Sequence, residues 1–215
     1  MQTKYFKRVM AMVLAVTGGA VAQPPDPLPV ADHNAPPGVV ASAVDAVEKL
    51  GRDVTRGDFK VAIDRMNPQW KSLLVKQNPG GMAAIQKQIE GATRRLAQEG
   101  VSIVSSVPLG RPTSFEVQPG KRMQKIKGGE EIEVGVFTKW LVLVPTLTKY
   151  RLLLKNDPKP VFIEKVGFQV AVSDKEKNDW TFIDGSNLTV TALRRLYPTL
   201  PKDLELPQIE ERRAK

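Results

Sequence analysis

Two hydrophobic periods divide this chain, and they meet at Gly100. Before it, apolar residues recur at three- and four-residue steps: Val44, Val47, Leu50 and Val54, then Phe59, Ala62, Ile63 and Met66, then Ile85, Ile89, Ala92 and Leu96. That spacing lines one side of a helix. After it, Val101, Ile103, Ser105 and Val107 step by two, and Glu130–Val144 is rich in β-branched and aromatic residues. Such stretches suit strands. Helices first and strands after exclude an alternating parallel α/β fold. They imply an α+β domain, with the N-terminal helices packed on a strongly curved, cone-like antiparallel sheet. A β-sandwich carrying an N-terminal helical hairpin is the competing architecture.

Local signals set the element limits. Helices are expected over Ser42–Arg56, from an Asp58 N-cap to Asn67-Pro68, over Gln69–Lys76 and over Met82–Gln98. Asp is a good cap, and a residue before proline avoids the α region. Strands are expected at Val101–Val107, around Phe115 and Val117, and over Glu130–Val144, Lys149–Leu154, Ile163–Ser173 and Trp180–Asp184. Gly128-Gly129 is a turn, and a short helix runs from Leu188-Thr189 to Tyr197. Leu200, Leu204 and Leu206, among prolines, should wrap back over the domain.

The ends of the chain read differently. Lys4, Lys7 and Arg8 precede the apolar run Val9–Val16, a Thr-Gly-Gly break and Ala20-Val21-Ala22. This is the order of a secretory signal peptide over residues 1–22, cut between Ala22 and Gln23. Its apolar run is too short to span a bilayer, so no stable span should remain after cleavage. Residues 23–38 hold six prolines and form an extended linker. Residues 39–207 then make a single α+β domain, and 208–215 a solvated, charged tail. The expected location is the periplasm or the cell exterior.

Composition removes several functions. There is no cysteine, so the fold relies on its core alone and thiol chemistry is excluded. The one histidine, His33, lies in the linker where nothing rigid orients it. Ser-His-Asp catalysis and ordinary zinc sites are therefore out of reach. No cofactor is implied, because no glycine-rich phosphate loop follows a strand. Removing Lys4, Lys7 and Arg8 lowers the formal charge from +9 to +6, with both signs interspersed, which argues against nucleic-acid binding. The triplet Asn187-Leu188-Thr189 is a formal glycosylation sequon read here as local structure.

Two short motifs carry a resemblance. Arg56-Gly57-Asp58-Phe59-Lys60-Val61-Ala62-Ile63 is similar to the helix, Gly-Asp, helix opening of the nuclear transport factor 2-like superfamily. Trp180-Thr181-Phe182-Ile183-Asp184-Gly185 is similar to its closing strand. The resemblance covers roughly Ala41 to Gly185. It departs from the family at Pro145–Pro160, which reads as an insert, and in the residues after Gly185. It implies a cone-shaped α+β fold, in which family enzymes use Asp and Tyr inside an apolar cavity.

On that basis Asp184 and Tyr150 are the catalytic candidates. Asp184 follows Trp180 and Phe182 at period two and could point with them; the commoner reading is a turn, Asp184-Gly185. Tyr150, between Lys149 and Arg151, reads as a half-exposed strand residue, and Asp64 as facing water. Trp140, Phe168 and Trp180 are candidates for lining a binding pocket or for filling the core, and Trp70 can do either. The leading expectation is an exported, non-catalytic binding or accessory protein of the cell envelope, with a small molecule or an envelope protein as partner. The alternative is a cone-pocket enzyme of isomerase or dehydratase type acting on an apolar small molecule. An open cavity of a few hundred Å³ with Asp184 inside would favour the enzyme. A cone filled by Trp140, Phe168 or Trp180 would favour the binding protein.

Overall fold

The computed structural model describes residues 35–127, 130–154 and 157–214. His33, Ala22 and Gln23, the Gly128-Gly129 turn and nearly all of the proline linker lie outside them. The described residues form an α+β fold. The helices are α1 (Pro37–Thr55), α2 (Lys60–Asp64), α3 (Pro68–Gln77), α4 (Gly81–Gln98) and α5 (Val190–Leu196). The strands are β1 (Val101–Pro108), β2 (Thr113–Lys127), β3 (Glu130–Leu154), β4 (Asp157–Asp174), β5 (Thr181–Asp184) and β6 (Glu210–Arg213). None of the described helices is long and apolar enough to cross a membrane.

The six strands make one antiparallel sheet built on β3. Along one edge of β3, β1 pairs with residues 146–152 and β2 with 130–143. The other edge pairs with β4. The far edge of β4 is shared, β5 taking residues 169–172 and β6 taking 163–166.

Both faces of the middle of the sheet are covered, which explains the unbroken apolar run over residues 140–144. Trp140, Val142 and Val144 cluster with Ala43, Val47 and Leu50 of α1. Leu141 and Leu143, pointing the other way, cluster with Leu193 and Tyr197 and with Leu200 and Leu204 of the C-terminal segment. Alternation along one strand thus feeds two cores.

Several boundaries differ from expectation for identifiable reasons. Helix α1 begins at Pro37, inside the anticipated linker, because proline at the first helical position has φ preset and needs no N–H partner. Asp58 does not cap α2; its backbone N–H closes the turn onto Asp53 O instead. Residues 145–154 of the span read as an insert continue β3, with Pro145 opposite Phe168, and residues 157–160 begin β4. Pro145 falls where β1 gives way to β2 as the neighbour of β3, so its missing N–H breaks no ladder bond on that side. The charged tail is exposed as expected, yet residues 210–213 are paired as β6. Arg212 Nε reaches Glu164 Oε2 at 3.1 Å and fixes it there.

Candidate functional site

A cavity of about 370 Å³ lies between the helices and the α1 face of the sheet. Its helical wall is apolar: Val47, Leu50 and Val54 from α1, Trp70 and Leu74 from α3, and Ile89 from α4. Its sheet wall is largely polar. Thr146, Thr148 and Tyr150 project from β3, and Lys165, Gly167 and Gln169 from β4. The register explains this grouping, since Thr146 lies opposite Gly167 and Thr148 opposite Lys165. These are the continuation of the Trp140, Val142, Val144 face into a region where the side chains turn polar.

Asn67 anchors the rim. Its Oδ1 accepts from Gln69 N (3.1 Å) and Trp70 N (3.2 Å), capping α3. Its Nδ2 donates to Thr181 Oγ1 (3.2 Å) and Tyr197 OH (3.1 Å), and its N–H to Phe182 O (2.8 Å). One buried amide therefore fixes α3, with Trp70, against β5.

Asp184 lines the cavity but is exposed. Its Oδ1 accepts from Ser186 N (3.4 Å), Ser186 Oγ (3.2 Å) and Gln169 Nε2 (3.3 Å). It caps the 3-10 turn Gly185–Asn187, so the turn reading describes its hydrogen bonds. Tyr150 differs from the expected half-exposed residue: it is only 8% exposed. The cause is its place on β3, on the face shared with Thr146 and Thr148. Burial pushes its hydroxyl up to about 12, with smaller contributions from the Asp184 and Glu211 carboxylates. Asp64 is exposed and pairs with Lys60.

The three binding candidates separate. Phe168 lines the cavity from the edge of the C-terminal core. Trp140 and Trp180 do not line it; they are buried beside α1, where Trp180 Nε1 donates to Ser42 Oγ at 3.0 Å. Lys175 stands 4.5 Å above the Trp140 ring and also pairs with Glu116. These indoles are core, each burying roughly 150–250 Å². Trp70, half-buried, lines the cavity.

The sequence reading missed Lys165, Gln169 and Ser186. Lys165 Nζ donates to Ser186 Oγ at 3.3 Å. The available signal was the alternation Lys165, Gly167, Gln169 on one face of a strand whose other face is apolar. Within the sequon triplet, Thr189 Oγ1 accepts from Ala192 N and caps α5. Comparison with family models, with curated proteins and with solved structures finds no match for this chain.

Proposed function

We propose that this chain is an exported, non-catalytic binding protein of the cell envelope, holding a small, mostly apolar molecule between its helices and its sheet. The cavity of about 370 Å³ carries this reading, because it falls within the size range of small-molecule sites and joins apolar walls to a few polar groups. Export rests on the three-part pattern of residues 1–22. A cone of the nuclear transport factor 2-like kind is part of the same proposal. Its support is the two motifs, the cavity between helices and sheet, and register shifts in the β1, β2 and β4 pairings with β3. Bulges of this kind bend sheets.

A second reading, the cone-pocket enzyme, draws on Asp184 and Tyr150 lining one cavity. Against it, Asp184 is exposed and already accepts three hydrogen bonds. Tyr150 stays protonated to about 12, which makes it a donor and not a base at neutral pH. The open cavity with Asp184 on its wall is the arrangement expected of an enzyme; only because that carboxylate is exposed and not enclosed is binding the better supported function.

Gly167 provides the test. It lines the cavity, and a Cβ there would meet only Thr146 Oγ1, at 3.8 Å. Gly167→Leu should fill the space without straining the backbone. Fluorescence of the neutral probe phenylnaphthylamine should rise with the wild-type protein and lose about tenfold in affinity with the variant, ~1.4 kcal/mol. Equal binding by both would remove the cavity as the site. N-terminal sequencing of the native protein tests export, and a chain still beginning at Met1 would sink that part.

A further inference from the structure

We propose that the cavity takes an uncharged amphiphile, an alcohol on a hydrocarbon body, whose hydroxyl both donates to and accepts from the sheet wall. This rests on the binding reading above and adds the ligand's chemistry. Its basis is the balance of that wall. Among the residues lining the cavity, the charged ones are Lys165 and Asp184, one of each sign. The Ser186 hydroxyl joins them, accepting from Lys165 Nζ at 3.3 Å and donating to Asp184 Oδ1 at 3.2 Å. Glu211 is exposed and stands outside the lining, opposite Lys165 in the β4–β6 register. An anion on this wall would face Asp184 and Glu211, and a cation would face Lys165. An uncharged head meets no charge of its own sign.

The hydrogen-bonding groups left open are of both kinds. On the donor side, Tyr150 is buried, and its hydroxyl has no hydrogen-bond partner among the described residues. Lys165 keeps N–H groups beyond the one it gives to Ser186. On the acceptor side, the bonds to Asp184 all fall on Oδ1, which leaves Oδ2 open. Gln169 donates through Nε2, which leaves Oε1. The buried Thr146 hydroxyl, also without a partner among the described residues, can act either way. A carboxylate would use the donors alone and an alkylammonium the acceptors alone, whereas a hydroxyl uses both. A zwitterion also uses both, but it takes two more ions out of water beside a Lys–Asp pair that Ser186 already joins. The apolar helical wall takes the hydrocarbon. At ~30 Å³ per non-hydrogen atom, the cavity of about 370 Å³ holds about a dozen, the size of decanol.

Displacement of phenylnaphthylamine from the whole mature protein tests this with decanol, its isomer nonyl methyl ether, decanoate, decylamine and α-aminodecanoate. Decanol should displace the probe at a concentration about tenfold below each charged competitor and about threefold below the ether, which accepts but cannot donate. Apolar burial alone would rank the ether level with decanol, so this comparison reads the hydroxyl. Two variants read the charge balance. Asp184→Asn should narrow the gap between decanol and decanoate to about threefold, and Lys165→Met should do the same for decanol and decylamine; Lys165→Gln repeats the measurement if the Met variant does not fold. If the ether or any charged competitor matches decanol, or if either variant leaves its gap unchanged, the alcohol assignment falls while the binding site stands. Failure of the probe to bind the wild-type protein overturns both.

Discussion

At the residue scale, Asn67 and the two buried tyrosines carry the sharpest predictions. Asn67→Ala deletes the α3 cap and leaves the buried Tyr197 hydroxyl without its partner. A cap is worth about 0.5–2 kcal/mol and an orphaned buried polar group about 1–3 kcal/mol. The variant should therefore lose about 2–4 kcal/mol in urea unfolding, far more than a surface Asn→Ala. The tyrosines govern alkaline behaviour. Burial pushes Tyr150 and Tyr197 up to about 12 from an ordinary value near 10, the Asn67 bond slightly opposing this for Tyr197. A raised folded value means the stabilisation is complete below about pH 10 and lost as pH rises through about 12. Stability should thus decline by about 1.4 kcal/mol per pH unit for each phenol across that window. Of the three tyrosines only Tyr5 remains, and it lies within the segment read as a signal. The mature chain should show no phenolate absorbance near pH 10, and a tyrosine titrating there would contradict the burial described.

At the scale of elements, the contact of α1 with β1 is set by Gly51. A Cβ on Gly51 would lie 2.2 Å from Ser106 O, a backbone atom that cannot rotate away. Helix propensity alone would favour Gly51→Ala by about 1 kcal/mol. Overpacking costs about 1–3 kcal/mol and should win, because α1 must lift from the sheet. The expected result is a lower urea midpoint, and a higher one would show that the helix can shift at little cost. The elements were also the most legible part of the sequence. The stripes of Val47, Leu50 and Ile85 marked α1 and α4, and Thr189 marked α5. Alternation marked β1 and β5, and β4 was anticipated as a strand without its alternation being used. The continuity of β3 was not legible, because Pro145 is normally a strand breaker and only its neighbours in space make it harmless. Pairing of the charged residues 210–213 was hidden for a similar reason. Nothing in Glu-Glu-Arg-Arg favours a strand until β4 offers an open edge and Glu164 a partner for Arg212.

For the molecule as a whole, two cores on one sheet make the C-terminal segment structural. Leu200 is fully buried beside Leu143 and Tyr197 although it lies in no helix or strand. Leu200→Ala should cost about 2–5 kcal/mol, as for a core leucine, and a loss under about 1 kcal/mol would show the segment to be a loose covering. The site was only half legible at this scale. Tyr150 and Asp184 were named from what the family resemblance implies, but their shared cavity with Lys165 and Gln169 depends on strand register, which periodicity cannot supply.

The outer edge of β1 has a different consequence. No described strand pairs with it, and Val101–Pro108 contains no charged residue. Exposed edges of this kind recruit further strands unless lysines, prolines or bulges blunt them. Here the guards are the irregularity between Ile103 and Ser105 and the proline at the end of the strand. In concentrated solution this flank is where molecules would add to one another edge to edge, with the net positive charge of the chain slowing each approach. Shelf life then depends on a strand remote from the C-terminal core, and a lysine placed at exposed Val104 would lengthen it without touching either core.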